Sequence, residues 1–169
     1  MLTIQCTKIL REKLNMPIEN IDFNENNPLY SWHANQFVFN RKNGVILMNN
    51  QTYYNIVLFG LRKEQFNQFG RIVIDAIRDN FTAEGFASQV IERYLKNAET
   101  LLYTKTHDRS ILGQMNDMIF MTQCILEDYR SDEKIDIIAL NKQNNRTPMV
   151  KRKHSRAINA LRESLLQEN

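Results

Sequence analysis

The chain has only three histidines, and two sit where an imidazole could do chemistry. His33 lies in SWHANQF and His107 in THDRSILGQMND. Two histidines with a cation are the parts of a metal-independent ribonuclease. One ring takes the 2′-OH proton, the other protonates the leaving oxygen, and Lys or Arg steadies the charged transition state. His33 and His107 are therefore the candidate catalytic pair, with Lys105 and Arg109 as candidate cations. The structural alternative is a histidine that packs and bonds to a neighbouring loop.

The same stretches supply a ligand-binding reading. In a strand, Trp32 and His33 point to opposite faces, and Asn35 shares the face of His33. Asp108, Arg109 and Ser110 form the first turn of a predicted helix. Its backbone N–H groups, with Lys105, His107 and Arg109 nearby, would suit an anion. Arg109, Gly113 and Asn116 share one helix face, with Asp117 beside them. A glycine inside a helix costs about 1 kcal/mol against alanine, so Gly113 implies close packing or room for a ligand. The candidate ligand-binding residues are thus Trp32, Asn35, Lys105, Asp108, Arg109, Ser110, Asn116 and Asp117. Against this stands a capped helix with a solvated polar side. His107, Asp108 and Asp117 have no metal-ligand spacing, and no P-loop, dinucleotide-binding glycine pattern or nucleophile elbow is present. No metal and no cofactor are expected.

Charge is uneven along the chain. Residues 141–169 carry seven Lys and Arg against two Glu, a net of +5, while the other 140 residues carry 15 against 17, a net of −2. Within KRKHSR, Lys151, Arg152, Lys153 and Arg156 are candidate phosphate contacts. The run lacks the interleaved aromatics of a single-strand binder. The bland reading is a solvated loop whose cations complement acidic groups elsewhere.

The elements that must position these residues read as follows. LTIQC is a short strand, and Thr7 caps a helix with Ile9, Leu10 and Leu14 on one side. Residues 16–30 are a loop. Residues 30–60 hold three strand-like runs separated by Asn/Gly turns, an antiparallel meander. Phe66, Phe69, Val73, Ile77 and Phe81 step by three and four along a helix that Gly85 ends. Ser88 could cap the next helix, TLLYTKT is a strand, and a long helix runs over 108–129 with Leu112, Met115, Ile119, Thr122 and Leu126 inward. IDIIALN is ambiguous between helix and strand, residues 142–156 show no periodicity, and AINALRESLLQ closes as a helix. The fold class is α+β: one domain with a mostly antiparallel sheet and helices packed on one face. Residues 1–140 form the core, and 141–169 a basic segment with a terminal helix on, or extending from, the same domain.

The 169 residues suit one domain, and 43% hydrophobic with 24% charged is an ordinary globular mix. Cys6 and Cys124 form no CxxC and no Cys/His cluster, so both read as buried thiols in a reducing cytosol. MLTIQCTKILREKLN has no apolar h-region and does not read as a secretory signal. Runs such as IVLFGL are far too short to span a membrane.

SWHANQFVFNRKNGVILMNNQTYYNIVLFGL, then AEGF and IERYL, TKTHDRSILGQMNDM and LNKQNNRTPM together resemble a family of small bacterial proteins, a domain of unknown function. The Trp-His-Ala-Asn and Asp-Arg-Ser-Ile-Leu-Gly-x-Met-Asn-Asp stretches carry the resemblance, which covers most of residues 1–150. It implies a bacterial or bacteriophage source and a single domain, and transfers no activity. The functional expectation is a cytosolic nucleic-acid- or phospholigand-binding module. The alternatives are a protein-interaction factor without catalysis, of the kind encoded on a phage or mobile element, and the two-histidine nuclease. Nucleic acid or a protein is the expected partner, with no membrane.

Overall fold

The computed structural model describes residues 1–19, 27–130, 132–149 and 153–168. β1 (Leu2–Cys6) leads into α1 (Lys8–Leu14), and the expected meander follows as β2 (Ser31–Phe39), β3 (Lys42–Asn49) and β4 (Asn55–Leu61). Then come α2 (Phe69–Ala83), α3 (Ser88–Lys96), β5 (Leu101–Lys105), α4 (Arg109–Glu127), α5 (Ile137–Arg146) and α6 (Ala157–Gln167). The sheet order is β4-β3-β2-β1-β5. β2–β3 and β3–β4 are antiparallel, whereas β1 runs parallel to both β2 and β5. The chain is one α+β domain on a mixed sheet.

The helices do not share one face, which corrects that expectation. Ile4, Trp32, Leu47 and Ile56 join a first core with residues of α1, α2, α3 and α6. Phe37, Ile46, Met48 and Val57 join a second core with Ile111, Met115 and Met118 of α4 and Leu140 of α5. The reason is in the strands. Val45-Ile46-Leu47-Met48 is apolar at every position and fully buried, so both faces need a cover.

Local signals mostly hold. Phe69, Val73, Ile77 and Phe81 are the buried stripe of α2. Gly85 follows it with φ 85°, the Gly85 N–H donates to Thr82 O, the Phe86 N–H donates to Phe81 O, and the two Phe rings meet at 5.5 Å. That is a Schellman stop with its apolar contact. Ala87, not Ser88, occupies the N-cap of α3. Thr7 takes the N-cap position of α1 but gives its hydroxyl to Asn35 Oδ1 at 2.9 Å instead of to the helix. Ile9 points to solvent. The buried stripe of α4 is Ile111, Met115, Met118, Thr122 and Leu126, so its inward face is turned slightly from the predicted one. Cys6 is buried as expected, but Cys124 lies on the outer side of α4 and is exposed.

The ambiguous IDIIALN run and the start of the segment with no periodicity fold together as α5, and its asparagines do the work of a strand. β4 is an edge strand. Asn141 Oδ1 accepts from the Val57 N–H at 2.8 Å, and Asn145 Oδ1 accepts from the Asn55 N–H at 2.7 Å. Asn145 Nδ2 donates to Asn55 O at 2.7 Å, and Asn141 Nδ2 donates to Asn80 Oδ1 at 3.0 Å. Two amides one helical turn apart thus satisfy the open backbone of the sheet edge. Arg146 then reaches the fully buried carboxylate of Glu84 through Nη1 at 2.9 Å and Nη2 at 2.6 Å. A division at residue 140 falls inside α5, and α6 inserts Ile158, Leu161 and Leu165 into the first core.

Candidate functional site

The register builds the site. Gln5 pairs with His33 on one side and with Thr104 on the other, so all three share the second face of the sheet. All are buried. Asn50, just past β3, anchors its N–H on Ser31 O at 2.9 Å. Its side-chain Nδ2 donates to Gln5 Oε1 at 2.9 Å, which leaves Oδ1 facing His33 Nδ1 at 2.8 Å. An amide oxygen only accepts, so Nδ1 of His33 carries the proton and Nε2 carries the lone pair. That Nε2 is buried and has no hydrogen-bond partner. Burial pushes His33 below the ordinary imidazole value of 6.5, with the nearby His107 adding to the effect, while the Asn50 bond and Asp108 pull the other way. Burial thus favours the neutral ring.

His107 arrives from the turn between β5 and α4. Its ring centroid lies 5.5 Å from that of His33, at an interplanar angle of 39°. The strands β1, β5 and the first part of β2 are parallel, and the turns after β1 and β5 leave from one end of the sheet. Such carboxyl ends are where open sheets with parallel strands gather ligands. Asp108 caps α4, its Oδ1 accepting from Ser110 N at 2.8 Å and Ile111 N at 3.2 Å. The helix-start N–H groups expected for an anion are therefore engaged by the chain's own carboxylate.

Other predicted residues stand apart from the pair. Trp32 is buried in the first core, and its Nε1 donates to Tyr94 Oη at 2.9 Å, so it offers a ligand nothing. Asn35 lies on the face of His33 and is held by Thr7. Lys105 is exposed and, by alternation, shares the side of Leu101 and Tyr103, which pack with the first core. It faces away from His33. Arg109, Ser110, Asn116 and Asp117 are exposed on α4. An ideal Cβ on Gly113 would meet no atom within 4 Å, so neither close packing nor a backbone approach explains this glycine.

The basic segment is partly spent inside the fold. Lys153 Nζ bonds Glu163 Oε1 at 2.9 Å, and His154 pairs with the same carboxylate. Arg156 is exposed at the N-cap of α6. Lys151 and Arg152 lie outside the described residues. Among the described residues, no group of three or more His, Cys, Asp or Glu is placed to hold a metal ion. No helix of the described residues is long and apolar enough to cross a membrane.

Gln5, Asn50 and Thr104 escaped the sequence reading. The signal was available for one of them: Gln5, with Thr3, alternates with Leu2, Ile4 and Cys6, marking a polar face on an otherwise apolar strand. Asn50 looked like any turn asparagine.

No curated protein and no solved structure matches the chain. The model of the domain of unknown function DUF6933 matches residues 3–163, nearly the full length, and the chain belongs to that family.

Proposed function

We propose that the His33–His107 pair is the centre of a binding module for a phosphate ester with a neighbouring hydroxyl, as in a ribonucleotide or an RNA strand. One observation carries the reading: a buried imidazole with a bare Nε2 lies 5.5 Å from a second, exposed imidazole. The lone pair of His33 accepts from a hydroxyl, and a ring N–H of His107 donates to a phosphoryl oxygen. His33 is fully covered, so a ligand reaches Nε2 when a neighbouring side chain moves aside. The reading keeps the cytosolic, bacterial or phage setting expected from the sequence.

The ring spacing also favours a second reading, metal-independent cleavage of RNA. His33 takes the 2′-OH proton, the freed oxygen bonds to phosphorus, and the bond to the 5′-oxygen breaks as His107 protonates it. The products are a 2′,3′-cyclic phosphate and a 5′-hydroxyl.

The test is a titration of the histidine ring signals by NMR with uridine 3′-monophosphate and its 2′-deoxy analogue. Both ring signals should move with the ribonucleotide, the deoxy analogue should bind more weakly, and His107→Ala should abolish the response. Unmoved signals at about 1 mM ligand, where even the weakest useful affinity registers, would sink the proposal. Incubation with a uridylyl-adenosine dinucleotide separates binding from cleavage.

A further inference from the structure

The far end of the sheet holds a second group of side chains that the histidine pair does not use. His33 and Phe39 lie six residues apart on β2, roughly 20 Å at about 3.3 Å per residue. There the β2–β3 hairpin closes on Asn40 and Arg41, both left-handed at φ 47° and 62°. This suits the twist of a two-residue hairpin, though Arg stands where Gly is usual. Across the hairpin, the antiparallel pairing of Asn43 with Leu61 sets the end of β4, with Gly60 at φ 77°, beside the tip. Arg41, Lys42 and Arg62 consequently line one open cleft of about 400 Å³. Among the described residues none of the three forms an ion pair.

Lys42 also lines a second hollow, of about 210 Å³, between the hairpin and the end of α4. Phe39, Phe59 and Tyr129 give it aromatic walls, with Arg130 and Glu133 at its polar side. The rings of Phe39 and Phe59 are 6.5 Å apart, and Phe37 stacks behind Phe59 at 6.2 Å with planes 11° apart. The Phe37 ring lies directly over Gly44, where a Cβ would come within 2.3 Å of its Cζ. The aromatic wall is thus supported from below by a residue with no side chain.

We propose that this end of the sheet binds a nucleotide unit. The base enters the aromatic hollow, and its phosphates run over Lys42 into the cleft of Arg41 and Arg62. Aromatic faces beside a cationic groove are the pairing that recognises unstacked bases on a charged backbone. The Glu133 carboxylate can accept from an exocyclic amino group of the base. The site rests on its own cavities and charges, so it stands or falls separately from the histidine pair.

The experiment measures affinity of the full chain by titration calorimetry for three probes: ATP, an eight-nucleotide single-stranded DNA, and inorganic tripolyphosphate. ATP or the oligonucleotide should bind more tightly than tripolyphosphate. Lys42→Glu should weaken that binding by about tenfold or more, and Tyr129→Leu by about fivefold or more. Lys8→Glu, the same charge change on the exposed side of α1, should leave it unchanged. Thermal melting confirms that each variant folds, and Lys42, on an exposed tip, serves if Tyr129→Leu does not. Binding of ATP alone assigns the site to a mononucleotide, and preference for the oligonucleotide assigns it to a strand. The proposal is overturned if neither binds at about 1 mM, if Lys42→Glu binds like the wild type, or if tripolyphosphate binds as well as ATP.

Discussion

The imidazole rings of His33 and His107 lie 5.5 Å apart, one fully buried and bonded through Nδ1 to Asn50, the other on the surface. This makes the stability of the domain pH-dependent. The folded His33 has its pKa lowered from 6.5 by burial, so in acid the unfolded chain binds a proton that the folded chain refuses. Stability is therefore fully present above about pH 6.5 and declines as pH falls below it toward the folded value. Denaturant melts between pH 5 and 8 should show the decline in the wild type and a flatter profile in His33→Gln. Equal slopes for the two would mean that His33 is not the group responsible.

The two thiols should separate cleanly. Burial pushes the Cys6 thiol up to about 12, and its side chain has no exposure, while Cys124 is exposed on α4. Ellman's reagent should find one reactive thiol in the native protein and a second only in denaturant. Cys124→Ser should remove the native reaction altogether.

The amide clasp on β4 should be costly to break. Replacing Asn145 by Leu strands the N–H and the carbonyl of Asn55 against an apolar side chain. The expected loss is about 2–4 kcal/mol, read as a fall in the urea midpoint. With the edge uncovered, the variant should also gain a tendency to associate, visible by light scattering.

Gly113 gives the opposite sign. It sits in the interior of α4 with open space where a Cβ would be. Gly113→Ala should stabilise the domain by about 0.5–1 kcal/mol, or roughly 1–4 °C in melting temperature. Destabilisation would show that the glycine has a packing role hidden from the static contacts.

Much of this protein was legible in its residues alone. The meander, the stripe of α2 and the stop at Gly85 are local, and period and turn chemistry report local structure directly. Asn141 and Asn145 were opaque because their partners are the backbone atoms of β4, far away in sequence. A polar run with no periodicity reads as a loop until a sheet edge is supplied. The two-faced cover of the sheet lay within reach, since β3 is apolar on both sides.

The types His33 and His107 came from the sequence, along with the chemistry they could share. Their meeting did not. It depends on β1 pairing parallel with both β2 and β5, which sets Gln5 beside His33 and carries the turn after β5 to the same end of the sheet. The same register turned Lys105 to the opposite side and gave Asp108 to its own helix. Strand order and register are settled by the summed burial of two cores, a property of the whole chain that no single stretch contains.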